Sequence, residues 1–142
     1  MISEDTRQFV AVAMAAQSPL VGWDVRLETL EAGIVRLSMP ITPAITTYTG
    51  AVVSGVIATV ADVVAGLALI TTLTPPRPVI TLDFTSQHLS PAIGTRLFAV
   101  GRAERTGKSL GFASAEAFVV SNDSDDQEKR VSRLSATFSI LS

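Results

Sequence analysis

Residues 54–70, SGVIATVADVVAGLALI, constrain this chain more than any other stretch, because they are almost wholly apolar yet carry one carboxylate, Asp62, near their middle. An unpaired carboxylate is costly to bury, so a fold that encloses this run must give Asp62 a partner or a task. Ser54 is a favourable N-cap, and Thr74-Pro75-Pro76 stops the run, which predicts one long helix over about residues 54–72. Extended from Ala51 to Leu73 the segment is long enough to cross a bilayer. A central Asp, however, costs about 2.5–3.5 kcal/mol on an insertion scale. No basic flank marks an orientation, and the remaining chain alternates as soluble strands do. The pattern predicts a buried core helix, with no membrane span.

The rest of the composition suits such a core. At 142 residues, with 47% hydrophobic and 17% charged, the chain is expected to form one globular domain over 1–142. A net charge of −2 argues against nucleic acid as a partner. The absence of cysteine excludes disulfides, thiolate catalysis and cysteine zinc sites. A single histidine, His88, is too few for a His-rich metal site. The N-terminus is acidic before it is apolar, unlike a secretory signal, so a cytoplasmic location is expected.

Residues 3–16 read as a short helix with Ser3 as N-cap, broken at Ser18-Pro19. Two strands follow. In the first, Trp23, Val25 and Leu27 alternate with Asp24, Arg26 and Glu28; in the second, Val35, Leu37, Met39 and Ile41 share a face. Glu31-Ala32-Gly33 suits the hairpin between them. Residues 42–53 form a Thr-, Pro- and Gly-containing loop. After the long helix come four strands: VITLDFTSQHL, TRLFAVGRAERT, SLGFASAEAFVVS and VSRLSATFSIL. The third of these sets Leu110, Phe112, Phe118 and Val120 against a face of small residues, and the acidic loop SNDSDDQEK precedes the last. The order predicts an α+β fold, a single antiparallel sheet wrapped around one apolar helix.

On a 3.6-residue period, Gly55, Ala58, Thr59, Asp62, Ala65 and Gly66 share one side of the helix, and Val56, Val60, Val63, Val64, Leu67 and Ile70 the other. The small side permits close approach by a backbone, a second subunit or a ligand. Asp62 is expected there in a groove of low dielectric, with a raised pKa. Pattern alone leaves two roles open: a structural acid paired with a backbone amide or an arginine, or a catalytic group.

The phrase GAVVSGVIATVADVVAGLAL, followed by VITLDFTSQHLSPAIGTRLFAVGRAERTGKSLGFASAEAFVV, resembles the hotdog-fold acyl-CoA thioesterases. The nearest group is the PaaI-type, phenylacetate-pathway branch of the 4-hydroxybenzoyl-CoA thioesterase superfamily. The likeness runs over roughly residues 20–141 and rests on three features in order: the helix start with its downstream Asp, the T-x-D-F…L-S-P strand, and the R-T-G-K-S turn. It implies a curled antiparallel sheet around a long central helix, with active sites at a dimer interface and tetramers common.

The resemblance also assigns roles. It makes Asp62 the nucleophile or the general base for water, the Ser54 backbone N–H, beside Gly55, the donor to the thioester carbonyl, and Thr81 a helper that positions water. Where relatives carry His-Gly-Gly this chain has Val53-Ser54-Gly55, and a helpful upstream amide falls on Thr47. Tyr48 is a candidate for the acyl pocket, and Arg105, Lys108 and Ser109 for contacts to coenzyme A. His88 falls in a strand where relatives often carry an aromatic, so it is expected to pack or hydrogen-bond. The dehydratases of this fold use a His with an acid near the helix, and the absence of a His near the helix start in the sequence argues against that activity. Alternation places Asp83 on the face of Thr81. The expected activity is hydrolysis of an acyl-CoA thioester with no metal or redox cofactor. The alternative is a non-catalytic module of the same fold that binds acyl-CoA.

Overall fold

The computed structural model describes residues 2–122 and 127–142. The chain opens with α1 (Glu4–Ala15), whose N-cap Ser3 accepts a hydrogen bond from the Thr6 amide while Glu4 and Asp5 sit in the first turn, as expected. Ser18-Pro19 does end α1, but it also starts a short helix, α2 (Ser18–Gly22), with the proline in its first turn, where no amide is needed. The first strand, β1, covers only Arg26–Glu31. Asp24 takes a positive φ of 56°, so Trp23 and Val25 lie before the strand instead of within it. A bulge at Glu28 then breaks the expected alternation, leaving Leu27 exposed and Leu30 buried. The Glu28 carboxylate accepts from the Ser38 hydroxyl, which in turn accepts from Arg96 at 3.0 Å.

Gly33, with φ of 81°, closes the expected hairpin to β2 (Ile34–Pro40), which buries Val35, Leu37 and Met39 completely. After a short 3-10 turn (Pro43–Ile45) comes α3 (Ser54–Ile70), then β3 (Val79–His88), β4 (Arg96–Thr106), β5 (Leu110–Val120) and β6 (Lys129–Ile140). All pairings are antiparallel, in the order β1-β2-β4-β5-β6-β3. The expected α+β architecture is therefore present, with α3 lying along the inner face of the sheet from β2 to β3. Of the acidic loop expected at 121–129, residues Asp123, Ser124, Asp125 and Asp126 lie outside the described residues.

Two glycines decide how closely α3 and the sheet meet. A Cβ on Gly101 of β4 would stand 2.2 Å from the Val64 carbonyl oxygen, and one on Gly111 of β5 would stand 2.4 Å from a Leu69 methyl. The small face of β5, Ala113, Ala115 and Ala117, is accordingly its buried face, and Leu110 and Phe112 on the other side remain exposed. The ends of α3 are tied in as well. The Thr71 hydroxyl donates to the Ala68 carbonyl and accepts from the Gly33 amide at 2.8 Å, joining the β1–β2 hairpin to the helix. The helix finishes at Ile70 with Thr71 as C-cap, slightly before the predicted end.

Gly101→Ala should therefore cost stability, because the atom it meets is backbone and the whole helix must give. A loss of about 1–3 kcal/mol is expected, read as a lower urea midpoint. Gly22→Ala, which meets nothing within 4 Å, should change it by less than about 0.5 kcal/mol.

Candidate active site

Asp62 stands on the less buried side of α3 with its carboxylate turned toward β3. Thr81 Oγ1 donates to it, lying 2.9 Å from Oδ1 and 3.1 Å from Oδ2. Neither an arginine nor a backbone amide pairs with it among the described residues. Burial pushes the Asp62 pKa above its ordinary value of 3.8, and the Thr81 hydrogen bond opposes part of that rise. A bulge at Leu82 sets Thr81 opposite Phe138 but Asp83 opposite Thr137. Phe138 is buried and Thr137 is not, so Asp83 turns to the outer face, contrary to the alternation expected from sequence.

A cavity of about 230 Å³ opens beside this pair. Its walls include Val63, Gly66 and Ile70 of α3, Val79 of β3 and Phe138 of β6. The side groups of the helix are thus divided differently from the expectation. Ala65 is fully buried and a Cβ on Gly66 would stand 3.2 Å from the Phe138 ring, whereas Val63 comes around to line the cavity. The remaining wall was missed from sequence: Phe9 and Ala13 of α1, with Gln17 at the start of α2, cover the cavity from outside the sheet. Phe9 and Ala13, four residues apart, mark one stripe of α1, next to the stripe of Thr6 and Val10 that enters the core.

The N-terminus of α3 presents different chemistry. Val53, not Ser54, is the N-cap; Ser54 is the first helical residue and makes no side-chain cap. The Val53 carbonyl accepts from the Val56 and Ile57 amides. The backbone N–H groups of Ser54 and Gly55 have no acceptor among the described residues, and both residues are exposed. Such N–H groups at the positive end of a helix dipole suit a developing oxyanion. Ser54 shares a second cavity, of about 350 Å³, with His88. His88 is exposed there and its side chain has no hydrogen-bond partner among the described residues, so it does not pack or bond as expected, and a histidine does stand near the helix start in space.

The other sequence candidates lie apart. Thr47 is exposed, its hydroxyl 2.7 Å from that of Thr49, and Tyr48 projects from the loop tip at 102% exposure. Tyr48 forms no wall of the Asp62 cavity. Arg105, Lys108 and Ser109 are exposed around the β4–β5 turn, which meets the far end of α3 through the Thr72 and Thr106 hydroxyls, 2.7 Å apart. Among the described residues no group of three or more His, Cys, Asp or Glu is placed to hold a metal ion. No described helix is long and apolar enough to cross a membrane.

One long helix wrapped by a curled antiparallel sheet is the hotdog architecture. The thioesterase superfamily profile matches residues 49–124, and the chain belongs to that family. A thioesterase family protein from Silicibacter pomeroyi shares 29% identity, covering 96% of this chain and 98% of its own, at a TM-score of 0.89. The Escherichia coli PaaI protein of the phenylacetic acid degradation operon is 15% identical, covering 100% and 97%, at a TM-score of 0.85. A Haemophilus influenzae thioesterase is 16% identical, covering 91% and 86%, at 0.79. No curated protein sequence matches this one. The expected fold, family and class of enzyme are borne out.

The pH dependence of stability should follow from Asp62. With the folded pKa above the unfolded one, the native state binds the proton more tightly. Stability is therefore lost as pH rises from below 3.8 through the raised value. Asp62→Asn keeps an acceptor for Thr81 and removes that loss. It should melt above the wild type at neutral pH and close to it at about pH 3. Equal melting curves at both pH values would contradict the raised pKa.

Proposed function

We propose that the protein hydrolyses acyl-CoA thioesters to a carboxylate and free coenzyme A, at sites that each use two copies of the chain. One observation carries this reading: the acid and the free amides sit on the same helix but too far apart to share a substrate. Eight residues separate Ser54 from Asp62 in sequence, about 12 Å along the axis, whereas reacting groups must come within about 3–3.5 Å. A second copy, turned about a two-fold axis, supplies the missing half. The edge strand β3 favours such pairing, since it ends the sheet and exposes Ile80, Leu82 and Phe84 at 53%, 56% and 43%.

In the proposed reaction the thioester carbonyl oxygen accepts from the Ser54 amide of one subunit, with Gly55 beside it. Asp62 of the other subunit attacks the carbonyl carbon, or takes a proton from the water that does. Negative charge collects on the oxygen, where the amide interaction strengthens, and this differential binding lowers the barrier. The C–S bond then breaks and coenzyme A leaves as the thiolate. Where Asp62 itself attacks, water next hydrolyses the acyl–Asp62 anhydride, which releases the carboxylate and restores Asp62; on either route one proton of that water ends on the thiol and the other in solvent. Thr81 holds the carboxylate in place; its hydroxyl already spans both oxygens.

Thr47 and Tyr48 would flank the bound thioester across the interface, and Arg105, Lys108 and Ser109 would meet the phosphates of coenzyme A. The proposed chemistry calls on no metal or redox cofactor. The reading includes a single-domain cytoplasmic homo-oligomer, a dimer or a dimer of dimers.

Two substitutions separate the halves of the site. Ser54→Pro deletes the N–H at a helix position that accepts proline well, after a Val53 already extended at φ −57° and ψ 130°. It should lower kcat about 100- to 1,000-fold, and Asp62→Asn by about 100-fold or more. Both are measured as thiol release from a panel of aryl- and alkyl-CoA thioesters. Co-refolding the two inactive variants should restore about a quarter of the wild-type rate, through hybrids with one intact site. Two variants that stay inactive when mixed would place both groups in one chain's site. A wild type that binds acyl-CoA without turnover would make the protein a binding module.

A further inference from the structure

The Asp62 cavity has a wall that the hydrolytic chemistry does not use. Phe9 and Ala13 approach it from α1, an element outside the sheet that supplies none of the reacting groups. Phe9 and Ala13 also line a second groove on the other side, which runs past Val12 to Pro75 and Pro76. Those two side chains are therefore the partition between a cavity that holds the acid and an open apolar groove that does not. Neither is locked into the core: Phe9 and Ala13 are half-buried, whereas Val10 on the adjoining stripe is fully buried.

We infer that α1 is the acyl-size gauge of the enzyme, with Phe9 and Ala13 setting how large an acyl group fits beside Asp62; this rests on the thioesterase reading above. The cavity of about 230 Å³ is small. A closed apolar site of about 150 Å³ takes a benzene ring, and drug-sized ligands need about 300–1,000 Å³. The space beside Asp62 thus fits a compact acyl group, an aryl acyl or a short alkyl chain. A long fatty acyl chain needs a way past the partition. Removing the Phe9 ring joins the cavity to the groove and provides one, whereas enlarging Ala13 fills the space that exists.

The experiment compares acetyl-, benzoyl-, octanoyl- and palmitoyl-CoA with the wild type, Phe9→Ala and Ala13→Phe, with Ala13→Val in reserve should the larger side chain prevent folding. Thermal melting confirms that each variant is folded. In the wild type kcat/KM should favour benzoyl or octanoyl over palmitoyl. The palmitoyl-to-octanoyl ratio should rise at least about tenfold in Phe9→Ala, and the benzoyl-to-acetyl ratio should fall at least about tenfold in Ala13→Phe. Changes that are equal for all acyl groups, or a wild type that prefers palmitoyl, would overturn the inference.

Equilibrium binding of the same four thioesters to Asp62→Asn and to its double variants separates this from the reaction itself. No turnover in the wild type, with binding that follows the same size order and shifts, would sink hydrolysis and keep the gauge. Binding indifferent to acyl size would sink the gauge, whatever the turnover.

Discussion

The near-contact of α3 with the sheet at Gly101 governs the rest of the molecule. Because β4 carries no side chain there, the helix backbone rests directly on the strand, and the alanines of β5 let it stay close along its length. That proximity fixes the helix in rotation as well as in height. With Val64 and Val60 pressed to the sheet, Asp62 is turned toward the margin, within reach of Thr81 and not fully enclosed. A wider separation would leave the helix free to roll, and a carboxylate would roll toward water. Packing of plain aliphatic residues is thus what holds an acid in a half-dry place.

Thr81 owes its orientation to an irregularity rather than to regular pairing. The bulge at Leu82 gives β3 one extra residue, so the strand presents Thr81 inward and still returns Phe84 to the inner face three residues later. The outcome is a hydroxyl aimed at the carboxylate and apolar side chains left at the sheet edge. One inserted residue therefore sets both the partner of Asp62 within the chain and the apolar surface at the edge of the sheet.

Much of this was legible in the sequence, and the reasons it was are specific. The 54–70 run announced a buried helix, and the alternation of Leu134, Ala136, Phe138 and Ile140 announced an inward strand face that the structure reproduces. Resemblance singled out both Asp62 and Thr81 but gave Thr81 the task of positioning water; that its hydroxyl donates to the Asp62 carboxylate is a finding of the structure, since the sequence offered a backbone amide or an arginine as the partner. The failures cluster where local pattern carries no information. Bulges at Glu28 and Leu82 shift register by one residue, and alternation read along a strand cannot register an insertion, so Leu27 and Asp83 were misplaced. The role of α1 is a matter of where a helix lands, which its own residues do not state. His88 lies far from Ser54 in sequence, and only the path of β3 along α3 brings the two to one cavity.

The two margins of the sheet are unlike. β1 is short and carries Arg26, Glu28 and Glu31, whereas β3 is longer and, beside the single acid Asp83, bears Ile80, Leu82 and Phe84. A sheet that is adhesive at one margin and guarded at the other has a built-in stop: once two copies join β3 to β3, only the charged margins remain outermost. In the proposed pairing, growth into an endless ribbon, the hazard of any exposed strand, would end after a single step.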